Sequence, residues 1–367
     1  MVGQFIHDSE LVNSSFDCHY VNLAVSTRLD EIGKGGWHKA KGVLKKLMEV
    51  RKAVKSVKPD LVYITPNSAG VPFYKDFMTV MMLKMMGQKV VMHFHNKGVE
   101  TRQDKWLDNW MYKCYFKDVK LILLADALYK DVKKYVKRED VFVCPNAIPE
   151  ISMAKENMAS KIVSASNVSN DNRVPHILWL TNIMKTKGIM EFLAALKILK
   201  DKGVKFQVDF VGGVTKEMSD DEFDTALTMM GLNGCCVFHG PKYGDEKYAF
   251  YCDADIFVLP SYTEALSVSI LEAMQFGLPV VASNVGGVSA EVEEGVSGFL
   301  LGGKLPIMLN TFRPNACEIA DKLQVLLTDT DLRHKMGEAG REKFEREFTL
   351  EVFEKRMVGI LSDNVKC

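Results

Sequence analysis

A strand, a loop, a helix and a second strand follow one another in Leu259-Pro-Ser-Tyr-Thr-Glu-Ala-Leu-Ser-Val-Ser-Ile-Leu-Glu-Ala-Met-Gln-Phe-Gly-Leu-Pro-Val-Val-Ala-Ser283. Gly277 suits the position just after the helix, and Pro279 prevents the helix from continuing. We expect Ser267 to cap the helix, whose first N–H groups and dipole favour an anionic ligand such as phosphate. Glu264 falls in the loop and Glu272 in the second helical turn. The two carboxylates can therefore contact different parts of one elongated ligand.

The same alternation of short apolar runs and amphipathic helical patterns extends to both ends of the chain. This alternation is typical of βαβ units and parallel sheets. We predict helices at Gly188–Lys200 and Val268–Phe276. Nine strands are predicted, at Leu61–Thr65, Lys89–His93, Leu121–Leu124, Val141–Cys144, His176–Thr181, Lys205–Val211, Cys236–His239, Ile256–Leu259 and Val280–Ala282. The sequence therefore predicts an α/β protein with two doubly wound domains that meet at a cleft.

The chain has 367 residues, which suggests two domains. We place an N-terminal domain at 1–150, a linker at 151–175 around the polar run Ser164–Arg173, and a C-terminal domain at 176–345. Residues 1–15 have a helical pattern where a doubly wound domain usually opens with a strand. Either a first strand and its turn are missing from this chain, or the fold begins with a helix.

Composition excludes several classes of protein. Apolar residues make up 47% and charged residues 26%, which rules out collagen-like, disordered and disulfide-scaffold chains. The 47 basic and 47 acidic side chains cancel, so that no global charge favours nucleic acid. The eight cysteines form no CxxC pair, and the start lacks a signal-peptide pattern. We expect a cytoplasmic location.

The motifs together resemble retaining glycosyltransferases of family 4, also called glycosyl transferases group 1. Seven residues separate Glu264 and Glu272, and Gly-Leu-Pro-Val-Val-Ala-Ser follows, as in that family. Further matching segments are Pro145–Ile148, Phe210–Gly213, Val237–Gly240, Ala254–Ser261, Gly286–Gly287 and the glycine-rich closing turns of Gly295–Leu301. The resemblance implies the GT-B fold, two Rossmann-like domains, with a last helix over 346–367 that crosses back to the first domain.

The resemblance also implies roles for residues of the C-terminal half. Glu264 would contact the donor sugar and Glu272 the ribose hydroxyls of a nucleotide. Backbone N–H groups near the sugar and phosphate would come from Ala265, Leu266, Ser267 and Val268. Gly212, in the glycine-bearing strand end, belongs to the same donor site.

A second motif is Leu180-Thr-Asn-Ile-Met-Lys-Thr-Lys-Gly188. The family usually has an arginine followed five residues later by lysine and glycine, and the two cations clamp the nucleotide diphosphate. Lys187 and Gly188 fit, but the arginine position holds Asn182. Hydrogen bonds to charged groups contribute about 1.5–3 kcal/mol, against about 1 kcal/mol for neutral ones. Asn182 therefore predicts weaker phosphate support, unless Lys185 turns inward.

A third motif is Val90-Val-Met-His-Phe-His-Asn96, a strand that ends in two histidines. In the family a histidine at this strand end faces the donor sugar, and His95 matches that place. We expect His93 to be a packed neighbour. No third ligand is evident for a metal, and we predict no metal site.

The resemblance implies transfer with retention of anomeric configuration, without bound metal, and with Lys187 and the helix N-terminus stabilising the leaving diphosphate. No cofactor is expected besides the donor substrate, a nucleotide-sugar such as a UDP- or GDP-sugar. The acceptor would be a glycan or a lipid-linked glycan of cell-surface polysaccharide or lipopolysaccharide synthesis. Residues 34–58 carry nine Lys or Arg against Glu49, and the apolar positions Val43, Leu47, Val50, Val54 and Val57 form a predicted buried stripe. This helix either rests on an anionic membrane, which would make the protein peripheral, or presents a solvated face.

Two alternatives to the transferase stay open. One is a non-catalytic relative that keeps the nucleotide-sugar pocket, and the other is a GT-B nucleotide-sugar epimerase. A dinucleotide-dependent oxidoreductase is disfavoured, because no GxGxxG follows a predicted strand.

Overall fold

The computed structural model describes residues 2–23, 37–158, 173–303 and 312–366. Most of the predicted linker and Lys34 therefore lie outside the described residues. The chain forms two compact units. The first unit is Met1–Leu124, Tyr129–Cys144 and Glu354–Cys367, and the second unit is Ala125–Leu128 and Pro145–Phe353.

The first unit contains a four-stranded parallel sheet in the order β1-β2-β3-β4. Its elements are α1 (Val2–Asp8), α2 (Glu10–Ser15), α3 (Trp37–Val57), β1 (Val62–Ile64), α4 (Gly70–Met85), β2 (Val90–Phe94), α5 (Trp106–Tyr115), β3 (Lys120–Leu123), α6 (Tyr129–Val132) and β4 (Val141–Val143). All five residues of β2 are buried, as expected for a central parallel strand covered on both faces.

The second unit contains a six-stranded parallel sheet in the order β10-β9-β8-β5-β6-β7. Its elements are α7 (152–158), β5 (His176–Leu180), α8 (Ile189–Asp201), β6 (Gln207–Val211), α9 (Asp220–Met229), β7 (Cys236–Phe238), α10 (Gly244–Asp253), β8 (Ile256–Leu259), α11 (Val268–Gln275), β9 (Val280–Ser283), α12 (Val288–Glu291), β10 (Gly298–Leu301), α13 (Ala316–Thr328) and α14 (Thr330–Glu347). The last helix, α15 (Leu350–Lys366), begins in the second unit and belongs to the first unit from Glu354 onward. Trp179, Phe192 and Phe210 form an aromatic cluster in its core.

The strand order creates a switch point between β5 and β8. From β5 the chain continues to β6 and β7 on one side, and β8, β9 and β10 fill the other side. The connections after β5 and β8 therefore leave the sheet in opposite directions. In open parallel sheets a crevice forms at such a point, outside the carboxyl ends of the strands, and ligands bind there.

All nine predicted strands are present, with ends within two residues of the prediction. The tenth strand, β10, was missed, because its short run was assigned to the glycine-rich turns around it. The single helical pattern of residues 1–15 was also wrong in detail. Two short helices form instead, because Ser9 interrupts the first and its Oγ accepts the N–H of Val12 at 3.1 Å, which caps the second.

Among the described residues, no helix combines the length and the apolar character needed to cross a membrane.

Candidate functional site

The loop between β8 and α11 carries the first predicted carboxylate. Glu264 lies in this loop, and its Oε1 accepts a hydrogen bond from Lys187 Nζ at 2.5 Å. Lys187 ends the short 3₁₀ turn that follows β5. The switch point thus brings together two residues 77 positions apart, one anionic and one cationic.

Glycines without room for a side chain hold these loops together. Gly188 has φ +81°, and a Cβ on it would overlap the carbonyl oxygen of Pro260. Gly286, after β9, has φ +60°, and a Cβ on it would overlap the carbonyl oxygen of Glu264. A side chain at either position would push the loop that carries Glu264 out of place, since the overlapping atom belongs to the backbone.

Ser267 is the N-cap residue of α11, but its predicted capping bond does not form. The Oγ of Ser267 instead lies 3.0 Å from the Oγ of Ser269. The N–H of Ser267 donates to both carboxylate oxygens of Glu291, at 3.1 and 3.0 Å. Within the described part of the chain, the N–H groups of Ala265, Leu266 and Val268 donate to no protein acceptor.

Glu291 is a fully buried carboxyl group that sequence reasoning missed. Its exposed fraction is 0%. Burial raises the pKa of Glu291 well above its ordinary value, the Ser267 N–H opposes this shift, and the charge of Glu264 adds to it. The signal available in the sequence was the glycine pair Gly286–Gly287 after β9. It marks a turn that leads into α12, the helix that carries Glu291.

Glu272 has two partners that the sequence did not reveal. Its Oε1 accepts from Lys247 Nζ at 2.6 Å, and its Oε2 accepts from Tyr251 Oη at 2.9 Å. Burial, followed by the charge of Glu272, raises the pKa of Tyr251, so its hydroxyl remains a donor. Lys247 and Tyr251 are four residues apart in α10, which places them on one helix face. The four-residue spacing was visible in the sequence, but the contact of both side chains with Glu272 was not.

Asn182 lies exposed after β5, and its Oδ1 accepts the N–H of Gly213 at 3.1 Å. Asn182 therefore connects the end of β5 to the glycine pair that follows β6. Gly212 is packed so closely on the carbonyl of Thr181 that a Cβ would overlap it. Lys185 lies in the 3₁₀ turn between β5 and α8, and its side chain is exposed and not turned inward.

His95 belongs to the first unit, directly after β2, and is half-buried. His93 is fully buried and packs against it, with ring centroids 4.1 Å apart, which confirms the predicted packed neighbour. The Nε2 of His93 donates to the carbonyl of Cys144 at 3.3 Å, and its Nδ1 accepts from Tyr63 Oη at 2.8 Å. Burial lowers the pKa of His93 well below its ordinary value, in keeping with this neutral tautomer.

The predicted basic helix begins at Trp37, and the predicted stripe is buried only in part. Val50 and Val54 are buried, whereas Val43, Leu47 and Val57 are half-buried. α3 packs against α4, and this contact does not bury the whole stripe. The cations whose side chains are described are Lys45, Lys46, Arg51, Lys52, Lys55 and Lys58, and those of Lys34, Lys39 and Lys41 are outside the described residues.

The described residues hold no group of three His, Cys, Asp or Glu side chains arranged to bind a metal ion.

The chain was compared with known protein families. Residues 164–343 match the family described as glycosyl transferases group 1. This range contains Lys187, Glu264, Glu272 and Glu291, and thus all the pairs described above in the second unit.

Among the curated proteins that are similar to this chain, two illustrate the range of matches. The sulfoquinovosyl transferase SQD2 of Arabidopsis thaliana is 26% identical over 302 residues, which are 79% of this chain and 54% of SQD2. The capsular polysaccharide biosynthesis glycosyltransferase CapM of Staphylococcus aureus is 29% identical over 183 residues, 50% of this chain and 44% of CapM. The matched part of the chain thus spans about half the length of these relatives.

A solved structure confirms the fold class. Anabaena HepE in complex with UDP superposes with a TM-score of 0.69 at 18% identity, covering 88% of this chain and 84% of HepE. The same protein has been solved with UDP-glucose. Two parallel-sheet α/β units, of four and six strands, agree with the GT-B class that the motifs implied.

Proposed function

Because residues 164–343 belong to glycosyl transferases group 1, we propose that this protein is a retaining glycosyltransferase. It moves a sugar from a nucleotide-sugar donor to a glycan or lipid-linked glycan in cell-surface polysaccharide synthesis. The observation that carries the proposal is the Lys187–Glu264 contact at the switch point of the second sheet. Strand order brings these two loops together, but it does not require a lysine on one and a glutamate on the other. The ion pair therefore supports a ligand site and not only the fold.

The donor diphosphate is held by Lys187 and by the N–H groups at the start of α11. Ala265, Leu266 and Val268 supply N–H donors that have no acceptor among the described residues, and the helix dipole adds positive potential. Glu264, released from or sharing Lys187, accepts hydroxyl groups of the donor sugar. The lysine charge then lies between two anions, the carboxylate and the phosphate.

The ribose is held by Glu272. A carboxylate has about four lone-pair sites, and Lys247 and Tyr251 occupy two of them. The remaining sites can accept two ribose O–H groups. Lys247 and Tyr251 act as positioning residues, because they orient the carboxylate without touching the nucleotide.

In the reaction, the anomeric C–O bond to the diphosphate breaks and the acceptor oxygen attacks the same face of the sugar. Negative charge builds up on the leaving phosphate, which accepts the acceptor's proton. Lys187 and the helix N-terminus stabilise that charge, and positive charge on the ring is stabilised by carboxylates, Glu264 among them. His95 is assigned a role toward the donor sugar, as the family's pattern implies.

The donor is a UDP- or GDP-sugar, and no bound metal or further cofactor takes part. HepE has been solved with UDP and UDP-glucose, which supports a nucleoside diphosphate sugar. The acceptor lies at the inner face of a membrane, where the peripheral protein docks through residues 34–58. Capsular polysaccharide synthesis by CapM supports this acceptor class.

Calorimetric titration with UDP-, GDP-, ADP- and CMP-sugars in chelator-containing buffer tests the donor site. We expect one donor class to bind, and Glu272→Ala to weaken it about 10- to 100-fold, because a hydrogen bond to a charged group contributes about 1.5–3 kcal/mol. Glu246→Ala, an exposed acid of the same region, serves as control and leaves affinity unchanged. Equal affinity in wild type and Glu272→Ala would contradict the ribose assignment.

Asn182 favours a second candidate, a relative that binds the nucleotide-sugar without transferring it. It brings no charge to the phosphate, and its Oδ1 is already engaged by Gly213. Nucleotide release from bound donor in the presence of acceptor glycans separates the two. Donor binding without release in wild type, together with release in Asn182→Arg, would favour the non-catalytic reading.

A further inference from the structure

Three helices of the first unit expose apolar side chains and lysines that the proposed chemistry does not use. β1, β2 and β3 are adjacent, parallel and in chain order, so their right-handed connections place α4 and α5 on one side of the sheet. α4 packs against both α3 and α5. The outward sides of α3, α4 and α5 therefore form one layer, called here the outer helix face.

Two tryptophans lie on the α5 part of this face. Trp106 is 80% exposed and Trp110 is 55% exposed. With the exposed Lys113 they follow the spacing of one helix side. The ring of Trp110 packs on Phe77 of α4, with centroids 6.5 Å apart, whereas Trp106 extends into solvent. Exposed tryptophans next to one another are unusual for a surface that meets only water.

The α4 part is mostly apolar, with the half-buried Lys75 between its first two exposed apolar residues. Val71, Met78 and Met85 are all exposed, and they are spaced by seven residues along one side of the helix. Three exposed apolar residues on one side of a helix depart from the pattern of a solvated helix, whose outward side is mainly polar.

The α3 part combines apolar and cationic residues. Leu44 and Met48 are exposed, and the same side continues with Arg51, Lys52 and Lys55. Met48 and these three cations line one shallow depression. The apolar end and the cationic end of α3 thus belong to a continuous surface.

The acidic residues of the three helices do not offset these cations. α3, α4 and α5 contain one acid each, Glu49, Asp76 and Asp108. Asp76 and Asp108 are buried, and Asp108 accepts from Arg102 at 2.8 Å. Glu49 accepts from Lys46 at 2.9 Å. The outward charge of the three helices is therefore positive.

We infer that the outer helix face docks on an anionic phospholipid bilayer, with Trp106 and Trp110 inserted at the level of the headgroups. Tryptophan side chains favour this interface, exposed Val, Leu and Met bury apolar area in it, and each cation near an anionic surface adds electrostatic attraction. The inference rests on the membrane partner in the proposed function. It adds that α4 and α5 share the contact and that insertion, not charge alone, holds the protein there.

Co-sedimentation with phosphatidylcholine vesicles, with and without phosphatidylglycerol, tests the inference on the full chain. We expect wild type to bind the anionic vesicles, and the double variant Trp106→Ser, Trp110→Ser to bind about tenfold or more weakly, since both lose buried apolar area. Tyr243→Ser removes an equally exposed aromatic ring from the second unit and leaves binding unchanged. Quenching of tryptophan fluorescence by spin-labelled lipid should occur in wild type and fall in Trp106→Phe, Trp110→Phe.

The outcomes separate this inference from the proposed function. If Lys52→Gln, Lys55→Gln loses vesicle binding while the tryptophan variant keeps it, the inference is overturned and the electrostatic membrane partner stands. If wild type binds no anionic vesicle, both fail, while calorimetric donor binding in lipid-free solution still tests the transferase. If wild type binds no vesicles and forms a dimer, and the tryptophan variant is monomeric, the outer helix face joins two copies of the chain and the inference is wrong.

Discussion

Charged side chains are paired at the loops on the carboxyl edge of the second sheet, but exposed on the outer helix face of the first unit. At the loops, Lys187 and Lys247 each contact a carboxylate within 2.6 Å. On the outer helix face, Lys52 and Lys55 extend into solvent beside exposed apolar residues. A reaction needs atoms in fixed places, which pairing and burial provide. Docking on a phospholipid bilayer needs only positive charge and apolar area, so exposed side chains are sufficient for it.

The largest expected effect comes from Glu264→Gln at the loops. The amide cannot pair with Lys187 as a carboxylate does, so that support of the developing charges is lost. We expect kcat to fall about 100-fold, or about 3 kcal/mol, with donor affinity changed by less than about threefold. Nucleotide release from the donor identified by calorimetry measures it. Glu293→Gln, an exposed acid nearby, is the control, and an unchanged kcat in Glu264→Gln would contradict the assigned role.

Gly286→Ala should destabilise the same loops through the backbone. Both Gly286 and Gly295 have positive φ, +60° and +76°, but only at Gly286 would a Cβ meet backbone, that of Glu264. Gly295→Ala is expected to cost about 1–2 kcal/mol from the left-handed conformation alone. Gly286→Ala should cost at least about 1 kcal/mol more, because the loop must also move. Urea unfolding compares the two, and equal losses would show that the loop yields freely.

Glu291→Gln should change how stability depends on pH. The raised pKa of Glu291 means that the folded protein keeps a proton which the unfolded chain releases above its ordinary pKa of 4.5. Stability contributed by this group is complete below that pH and falls as pH rises toward the folded pKa, by up to about 1.4 kcal/mol per pH unit.

The Gln variant lacks this fall, so its stability relative to wild type should increase from pH 5 upward. Denaturant unfolding at several pH values measures the difference, in which titration of other groups cancels. Glu293→Gln is again the matched control. Parallel pH curves for wild type and Glu291→Gln would mean that Glu291 is ionised in the folded state.

The smallest expected effect is that of Trp106→Ser on stability. An exposed residue away from pairs and caps usually changes the free energy of unfolding by less than about 0.5 kcal/mol. Trp179→Ala removes the same residue type from the buried core of the second unit and should cost about 3–5 kcal/mol. Thermal unfolding compares them. A large loss in Trp106→Ser would show that the outer helix face is covered within the folded chain.

Local sequence was sufficient for elements whose signals lie within a few residues. Gly277 ends α11 with φ +63°, as its position before Pro279 predicted. Glu264 lies in the loop and Glu272 in the second turn for the same reason, since loop and helix are set by neighbouring residues. Ser267 is the N-cap residue of α11, as predicted. Its side chain, however, contacts Ser269, and its N–H donates to Glu291, and neither contact follows from local sequence. The catalytic roles of Glu264, Lys187 and His95 stay predictions.

Repeated short apolar runs determined that this chain forms parallel sheets, because a buried strand needs only a handful of consecutive apolar residues. The tertiary structure alone decided that β5 lies beside β8, and hence that Lys187 meets Glu264 across 77 positions. It also decided that α10 supplies Lys247 and Tyr251 to Glu272, and that Glu291 is sealed from water under α11. Such contacts join segments whose separation along the chain carries no signal, so they follow from packing and strand order and not from any local pattern.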